Sequence, residues 1–327
     1  MTISILGAGT WGTAIAISLS GKQDIILWTR NETTFESISG KRESDKLSGC
    51  RISDNVSVKL AIEDTIDASA TILAVSTQSL RKVCQQLHDC NLKKDVAIIL
   101  ACKGIEKSTL KLPSEIVNEV LPNNPVAIFS GPSFAIEVAK KLPYSMVLAC
   151  QNNILGSKLM SELQQENVKL HLSSDVIGVQ VCAALKNVFA IACGIILGRK
   201  LGSNTHAALV TKSMNEIKAL YLAKIGNSNI DIDTLLGPAC LGDLIMTCTS
   251  LNSRNLSFGF KIGNSNNGFD VQQILSEGKS VIEGFSTAES AFNLAEKLKI
   301  KMPICEAVYR LLYENASIED TISVLVN

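Results

Sequence analysis

The chain has 327 residues, enough for two domains, with 46% hydrophobic and 19% charged residues. Its 31 basic and 31 acidic residues cancel, which argues against a nucleic-acid or acidic-membrane partner. The ten cysteines form no CxxC pair and no Cys/His metal spacing. Cys102, Cys150, Cys182 and Cys193 lie in apolar runs as small hydrophobes. No metal is expected. Met1 leads almost directly into a strand without a signal-type segment, so the expected setting is a reducing cytoplasm with free thiols.

In the first half, short β-rich runs alternate with helical patterns. The predicted strands are ISIL (3–6), IILW (25–28), ATILAV (70–75), VAIILA (96–101), VAIF (126–129) and YSMVLA (144–149). Near-continuous apolar runs of this length are the mark of strands buried on both faces. Helical stretches such as Thr13–Ser20 and Leu80–Leu87 separate them, the pattern of a doubly wound α/β sheet. From Asp175 the strand signal stops. Ala207–Ile225, Ala239–Thr247, Thr287–Leu298 and Cys305–Glu314 all read as helices. The expected fold class is therefore α/β, an N-terminal Rossmann-like sheet domain (1–184) followed by an all-helical domain (185–327). Lys41–Asp54 and Gly263–Gly268 read as polar linkers, the second as a mobile loop.

ISILGAGTWGTA carries Gly7, Gly9 and Gly12 in a GxGxxG that follows a strand and opens a helix. That context makes it a dinucleotide fingerprint. Gly7 allows the tight turn, Gly9 lets the backbone approach a pyrophosphate, and Gly12 lets helix and strand pack closely. An NAD-specific site places Asp or Glu at the end of the second strand, on the ribose hydroxyls. Here that place holds Thr29, Arg30 and Asn31, with Glu32 later. Arg30 suits a 2′-phosphate, so NADP is the preferred cofactor, with NAD open.

Ligands of open α/β sheets bind beyond the carboxyl ends of strands. Ser76–Thr77, Lys103, and the Gly131-Pro132-Ser133 turn follow such ends. Lys103 is either a solvated loop residue or a ligand residue. Ser133 is either a helix N-cap or a hydroxyl offered to a ligand.

VQVCAALKNVFAIACGIIL (179–197) holds one charge, Lys186. Its length suits a membrane span, but Gln180, Lys186 and Asn187 crowd its first half and a mid-membrane charge is costly. The helical neighbours of Lys186 are Cys182, Ala183, Phe189 and Ala190, all apolar. The helix reads as buried, and a buried lysine needs a partner or a cleft and loses basicity. Further on, PACLGDLIMTCTSLNSRN holds Asp243, Ser253, Arg254 and Asn255. Asp243 is a helix cap or a site residue. NSRN is a polar loop or, with its guanidinium fork, a phosphate site.

GAGTWGTA, ACKGIE, SGPSFAIEVA, IGVQVCAALKNVFAI, CLGDLIMTCTS, NSRN and VIEGFST occur here in the order seen in NAD(P)-dependent glycerol-3-phosphate dehydrogenase of the bacterial type. The resemblance runs from Ile5 to about Tyr313. It implies reversible reduction of dihydroxyacetone phosphate to sn-glycerol 3-phosphate with NAD(P)H, feeding glycerophospholipid synthesis. With the low charge it suggests a homodimer, and the residues themselves give the expectation of a cytoplasmic protein without stable membrane insertion. It implies that Lys186 is the catalytic acid/base with Asp243 beside it. It places Lys103, Gly131, Ser133, Ser253, Arg254 and Asn255 around the substrate. Thr10, Trp11, Arg30, Lys103, Ala135, Arg254, Val281 and Glu283 are implied to line the cofactor. The chain departs from the family pattern at Val75-Ser76-Thr77, near Leu197, at Thr211-Lys212-Ser213, and at Lys141, where the family has glycine. Two other readings are a β-hydroxyacid dehydrogenase of the 6-phosphogluconate type and a catalytically silent NADP(H)-binding sensor.

Overall fold

A computed structural model describes residues 2–226, 228–265, 270–277 and 281–327. The chain divides into two compact units, Met1–Cys102 with Pro113–Val176, and Lys103–Leu112 with Ile177–Asn327. Each has its own apolar core. Residue 184, the boundary expected from sequence, lies inside a continuous helix.

The first unit is built on an eight-stranded sheet of order β3-β2-β1-β4-β5-β6-β7-β8. The strands are β1 (Thr2–Leu6), β2 (Asp24–Trp28), β3 (Val56–Lys59), β4 (Ala70–Leu73), β5 (Ala97–Leu100), β6 (Val126–Ser130), β7 (Tyr144–Ala149) and β8 (Val168–Ser173). All neighbours pair in parallel except β6 and β7. The helices are α1 (Thr10–Leu19), α2 (Glu32–Lys41), α3 (Thr77–Asp89), α4 (Pro113–Val120), α5 (Ala135–Ala139) and α6 (Asn153–Leu163). Chain order reverses direction across the sheet between β1 and β4, the switch point where doubly wound sheets bind ligands.

β3 and β8 escape the apolar-run signal. VSVK and VKLHLS mix polar residues into the strand, and both lie at the ends of the sheet order. End strands keep one face partly open and alternate rather than run apolar. The polar stretch after α2 is not a linker. Leu47, Cys50 and Ile52 are buried in the core, and the Arg42 guanidinium donates to the Val56 and Asp54 carbonyls at 2.7 and 3.1 Å.

Lys141 has a left-handed backbone, φ +57°. It follows α5 in a Schellman closure, with Leu142 N–H donating to the Glu137 carbonyl and Lys141 N–H to that of Val138, both at 3.0 Å. The geometry that a glycine would favour at this position is thus kept by a lysine, and the loop departure is one of side chain rather than backbone.

The second unit is helical: α7 (Val176–Gly198), α8 (Gly202–Lys224), α9 (Ile232–Leu236), α10 (Asp243–Thr249), α11 (Arg254–Gly263), α12 (Val271–Glu277), α13 (Glu283–Leu298), α14 (Pro303–Tyr313) and α15 (Ile318–Val326). α7 has the length and apolarity of a membrane span, yet 94% of its apolar window is buried inside the protein. α11 crosses it backbone to backbone. A Cβ on Gly194 or Gly198 would meet the Leu256 or Phe260 carbonyl oxygen at 2.1 or 2.6 Å, and one on Gly259 or Gly263 would meet those of Ile191 or Ile195 at 2.0 or 2.4 Å. GIILG on α7 and GFKIG on α11 are thus paired GxxxG faces, and the crossing admits only glycine. Glu216 on α8 is buried and caps α14, accepting from Ile304 and Cys305 N–H at 2.6 and 3.1 Å. Burial raises its carboxyl to about 7, against the pull of those two N–H groups. Residues 266–268 of the expected mobile loop lie outside the described residues; Gly263 ends α11.

Candidate active site

Lys186 lies on α7 with its side chain 8% exposed. Its ammonium donates to Asp243 Oδ1 at 2.5 Å and to Thr247 Oγ1 at 3.0 Å. Lys103, 14% exposed, donates from the other side to Asp243 Oδ2 at 2.8 Å. Asp243 is fully buried. Each of its oxygens faces one ammonium, and Thr247 Oγ1 adds a further donor at 3.3 Å.

The local structure explains how the aspartate arrives there. Residues Pro238–Gly242 form a single π-helical turn, closed by Gly242 N–H to the Gly237 carbonyl at 3.2 Å, and α10 starts directly after it. Such turns are frequent at functional sites. Asp243 does not cap α10: Gly242 occupies the N-cap position with no side-chain cap bond. Thr247 lies four residues on, on the same helix face, so both reach Lys186.

Two ammoniums and one carboxylate leave a net positive, water-poor site. Burial lowers the Lys186 ammonium from 10.5 to about 8; the Asp243 charge pulls it back up and the Lys103 charge pushes it further down. Burial alone would raise Asp243, but the Lys103 and Lys186 charges outweigh it and hold the carboxyl below its ordinary range. Asp243 thus stays ionised while Lys186 can exchange its proton near neutral pH. A protein group with these properties is suited to general acid–base chemistry at an oxygen.

Around this centre the NSRN residues separate. Ser253 caps α11, its hydroxyl accepting from Leu256 N–H at 3.3 Å. Asn255 is buried and clamps three helices: its Nδ2 donates to Asn187 Oδ1 at 2.9 Å and its Oδ1 accepts from Gly284 N–H at 3.0 Å. Asn252 and Arg254 are exposed, Arg254 in the first position of α11. Glu283 starts α13 partly buried. Burial raises its carboxyl to about 7, with the charges of Arg254, Lys103 and Lys186 pulling the other way. Val281 is exposed.

In the sheet unit, Gly7 has φ +117°, and a Cβ there would press on the Ala74 carbonyl at 2.8 Å. A Cβ on Gly12 would meet the Gly7 oxygen at 2.0 Å. Gly9 differs: a Cβ there would meet nothing within 4 Å. The protein's own packing makes no demand for glycine at Gly9, whereas a bound pyrophosphate does. Gly9 is also the N-cap of α1 and no side chain caps that end, leaving Thr10 and Trp11 at an anion-ready helix terminus. Buried Trp11 Nε1, Thr77 Oγ1 and Ser130 Oγ find no partner among the described residues. Orphans of this kind are costly, and these three lie just past the carboxyl ends of β1 and β4 and at that of β6. The residues present therefore fit a dinucleotide.

Arg30 is exposed two residues past β2, and Asn31 caps α2 by accepting from Thr34 N–H at 2.7 Å. Ser133 is not a helix cap; Phe134 is, and the Ser133 hydroxyl donates to the Gly131 carbonyl at 3.0 Å. Gly131, at φ +154°, has the backbone of Ser145 within 2.9 Å of where a Cβ would stand. Ala135 opens α5.

Two models of the NAD-dependent glycerol-3-phosphate dehydrogenase family, N-terminal and C-terminal, match residues 2–155 and 175–323. The chain belongs to the NAD-dependent glycerol-3-phosphate dehydrogenase family. It is 87% identical over 327 residues, 100% of both chains, to a glycerol-3-phosphate dehydrogenase [NAD(P)+] of Wolbachia sp. subsp. Drosophila simulans. The like-named protein of Ehrlichia chaffeensis is 46% identical over 99% of each chain. The crystal structure of glycerol-3-phosphate dehydrogenase from Coxiella burnetii matches with a TM-score of 0.94 at 31% identity, over 100% of this chain and 98% of that one. Membership makes the protein an NAD(P)-dependent oxidoreductase, and it removes the silent-sensor and 6-phosphogluconate readings.

Sequence reasoning missed Thr247 and Asn187. Both were legible: Thr247 is four residues after Asp243 in a helical pattern, and Asn187 adjoins Lys186 in an otherwise apolar segment.

Proposed function

We propose that this chain reduces dihydroxyacetone phosphate to sn-glycerol 3-phosphate with Lys186 as the acid that protonates the carbonyl oxygen. The observation that carries the reading is the buried ammonium, held by Asp243 and Thr247 with a second ammonium opposite. Bound NAD(P)H supplies the hydride. Lys186 holds a proton at Nζ for the oxygen on which negative charge develops, and its own charge with that of Lys103 stabilises the alkoxide. Asp243 keeps both ammoniums aimed and prevents their mutual repulsion from emptying the site. In the reverse direction neutral Lys186 takes the proton from the hydroxyl.

The roles implied for the remaining residues complete the proposal. Arg254 reads the substrate phosphate; Gly131, Ser133, Ser253 and Asn255 shape the substrate's surroundings, the last two through the helix bonds they make. Gly7, Gly9, Thr10, Trp11, Gly12, Arg30 and Ala135 bind the dinucleotide, with the cofactor contacts implied for Lys103, Arg254, Val281 and Glu283 retained. The sheet unit is thereby the cofactor domain and the helical unit the substrate and catalytic domain. Arg30, with no acidic residue in its place, favours NADP over NAD.

A cytoplasmic homodimer supplying glycerophospholipid synthesis is part of the proposal. Support comes from ten free cysteines, nearly all buried, from the burial of α7, and from exposed Ile232, Leu236, Ile245 and Leu251 on the helical unit. The test of the activity is oxidation of NADPH and of NADH with dihydroxyacetone phosphate, each against phosphate-free dihydroxyacetone. Turnover confined to the phosphorylated ketone supports the reading; equal turnover of both ketones defeats it.

A further inference from the structure

Lys103–Leu112 interrupts the sheet unit yet belongs to the helical one. It contains no regular element and is tied to the helical unit by side chains. Ile105 and Leu112 are fully buried in that unit's core. Between them the chain doubles back, with Leu110 N–H donating to the Glu106 carbonyl at 2.9 Å and Glu106 N–H to that of Lys111 at 3.0 Å. The Thr109 hydroxyl closes the turn on the Glu106 carboxylate.

Lys107 leaves this strap over an aromatic stack. Its ammonium meets Glu289 at 2.5 Å and donates to the Tyr313 hydroxyl at 3.3 Å. It lies 5.3 Å from the Tyr313 ring centroid and 5.9 Å from that of Phe285. The two rings stack at 4.7 Å, and the Tyr313 hydroxyl donates onward to the Phe285 carbonyl at 3.0 Å. Burial and the Glu289 charge raise the Tyr313 phenol, which stays a neutral donor. One lysine is therefore fixed in three ways: by charge, by hydrogen bond and by ring face.

An ion pair this exposed adds little to stability, so its consequence is positional. Gly104, with φ +142°, is all that separates Lys103 from the anchored stretch that begins at Ile105 and runs through Glu106 to Lys107. Phe285 is one residue past Gly284, whose N–H is held by Asn255, which is held in turn by Asn187 beside Lys186. A closed ring of contacts runs from Asp243 through Lys103 and the strap to Lys107, across α13 and α11, and back to Lys186.

We propose that Lys107, seated on Glu289, Tyr313 and Phe285, is a positioning residue that sets where Lys103 stands and so how tightly the phosphorylated ketone is held. The proposal rests on the assignment of Lys103 to the substrate site. Lys107 touches neither substrate nor cofactor in this account; it acts through Lys103.

The test is a double-mutant cycle on the full chain, Lys103→Met, Lys107→Met and the pair, with KM for dihydroxyacetone phosphate, kcat and thermal midpoint recorded for each. Lys107→Met is expected to raise KM about tenfold, the scale of a small misplacement, with kcat within about twofold and an unchanged midpoint. In the Lys103→Met background the same change should do nothing further. Lys107→Arg, which keeps charge and stacks on aromatic faces, should restore KM. Additive KM effects, or a loss that tracks a lowered midpoint, overturn the proposal while leaving Lys103 in place. A Lys103→Met enzyme with normal KM overturns it differently, by removing Lys103 from the substrate site.

Discussion

The sheet unit and the helical unit present chemistry in opposite ways. In the first, the candidate cofactor site is backbone: Gly7 turns, Gly12 lets α1 pack, and Gly9 is left open above an uncapped helix end. These residues lie within six positions of one another, so the site is written in one continuous stretch of sequence. In the second, the site is side chains on different elements. Asp243 meets Lys186 and Lys103 across 57 and 140 residues of chain. A local motif tolerates errors of fold; a dispersed triad exists only once the α7 and α11 crossing, the π turn and the strap are all in place. Mutations in the two units should therefore fail differently.

The largest effect is expected in the dispersed site. Lys186→Met should retain fold and NADPH affinity and lose about 10²–10⁴-fold in kcat. Single-turnover kinetics and a binding titration check this; a loss below tenfold would remove Lys186 as the main proton donor. Next, Arg254→Leu should lower kcat/KM for dihydroxyacetone phosphate by one to two decades, from a charged hydrogen-bond loss of about 1.5–3 kcal/mol. Lysine should rescue only in part, lacking the planar fork. Normal discrimination between the phosphorylated and phosphate-free ketones in Arg254→Leu would move phosphate binding elsewhere.

The local site should break more gently. Arg30→Asp replaces a guanidinium with a group that repels a 2′-phosphate and accepts from a ribose hydroxyl. The ratio of kcat/KM for NADPH over NADH is expected to fall roughly tenfold or more, and an unchanged ratio would show that Arg30 does not read that position. Smallest is Lys141→Gly. The left-handed φ favours glycine, but glycine also loosens the unfolded chain, so the gain should stay below about 1 kcal/mol, read as denaturation midpoint with activity unchanged. A clear loss of stability would mean that Lys141 contributes contacts beyond its backbone.

The same contrast explains what the sequence made legible. The GxGxxG and the central strands announce themselves by local pattern. β3 and β8 do not, because their polar residues face partly open sides of end strands. Lys186 is conspicuous as one charge in an apolar helix, but residue pattern alone does not choose its partner. Asp243 looks equally like a helix cap, the family resemblance sets it beside Lys186, and the fold gives the N-cap position to Gly242 and pairs Asp243 with Lys186. NSRN read as a cluster of donors, and folding divides it, with Ser253 and Asn255 turned to helix structure and Arg254 left outward. The GxxxG faces of α7 and α11 carry no signal of their own, because each looks like ordinary glycine spacing until the other helix is laid against it. Glu216 likewise signals nothing locally; its partners are the N–H groups of Ile304 and Cys305.

The central claim is that burial tunes Lys186 to trade its proton near neutrality while Asp243 holds it in place. The direct measurement is the pH profile of kcat/KM for ketone reduction, with the reverse oxidation alongside. Reduction needs the ammonium, so its rate should fall as pH rises through about 8, where Lys186 deprotonates. Oxidation needs the free amine and should rise through the same range. Asp243→Asn removes the counter-charge and leaves Lys186 facing Lys103, so any residual activity should show the limb moved to lower pH. Lys186→Met should have no such limb. A wild-type profile flat from pH 7 to beyond 9, or the same limb persisting in Lys186→Met, would contradict the account.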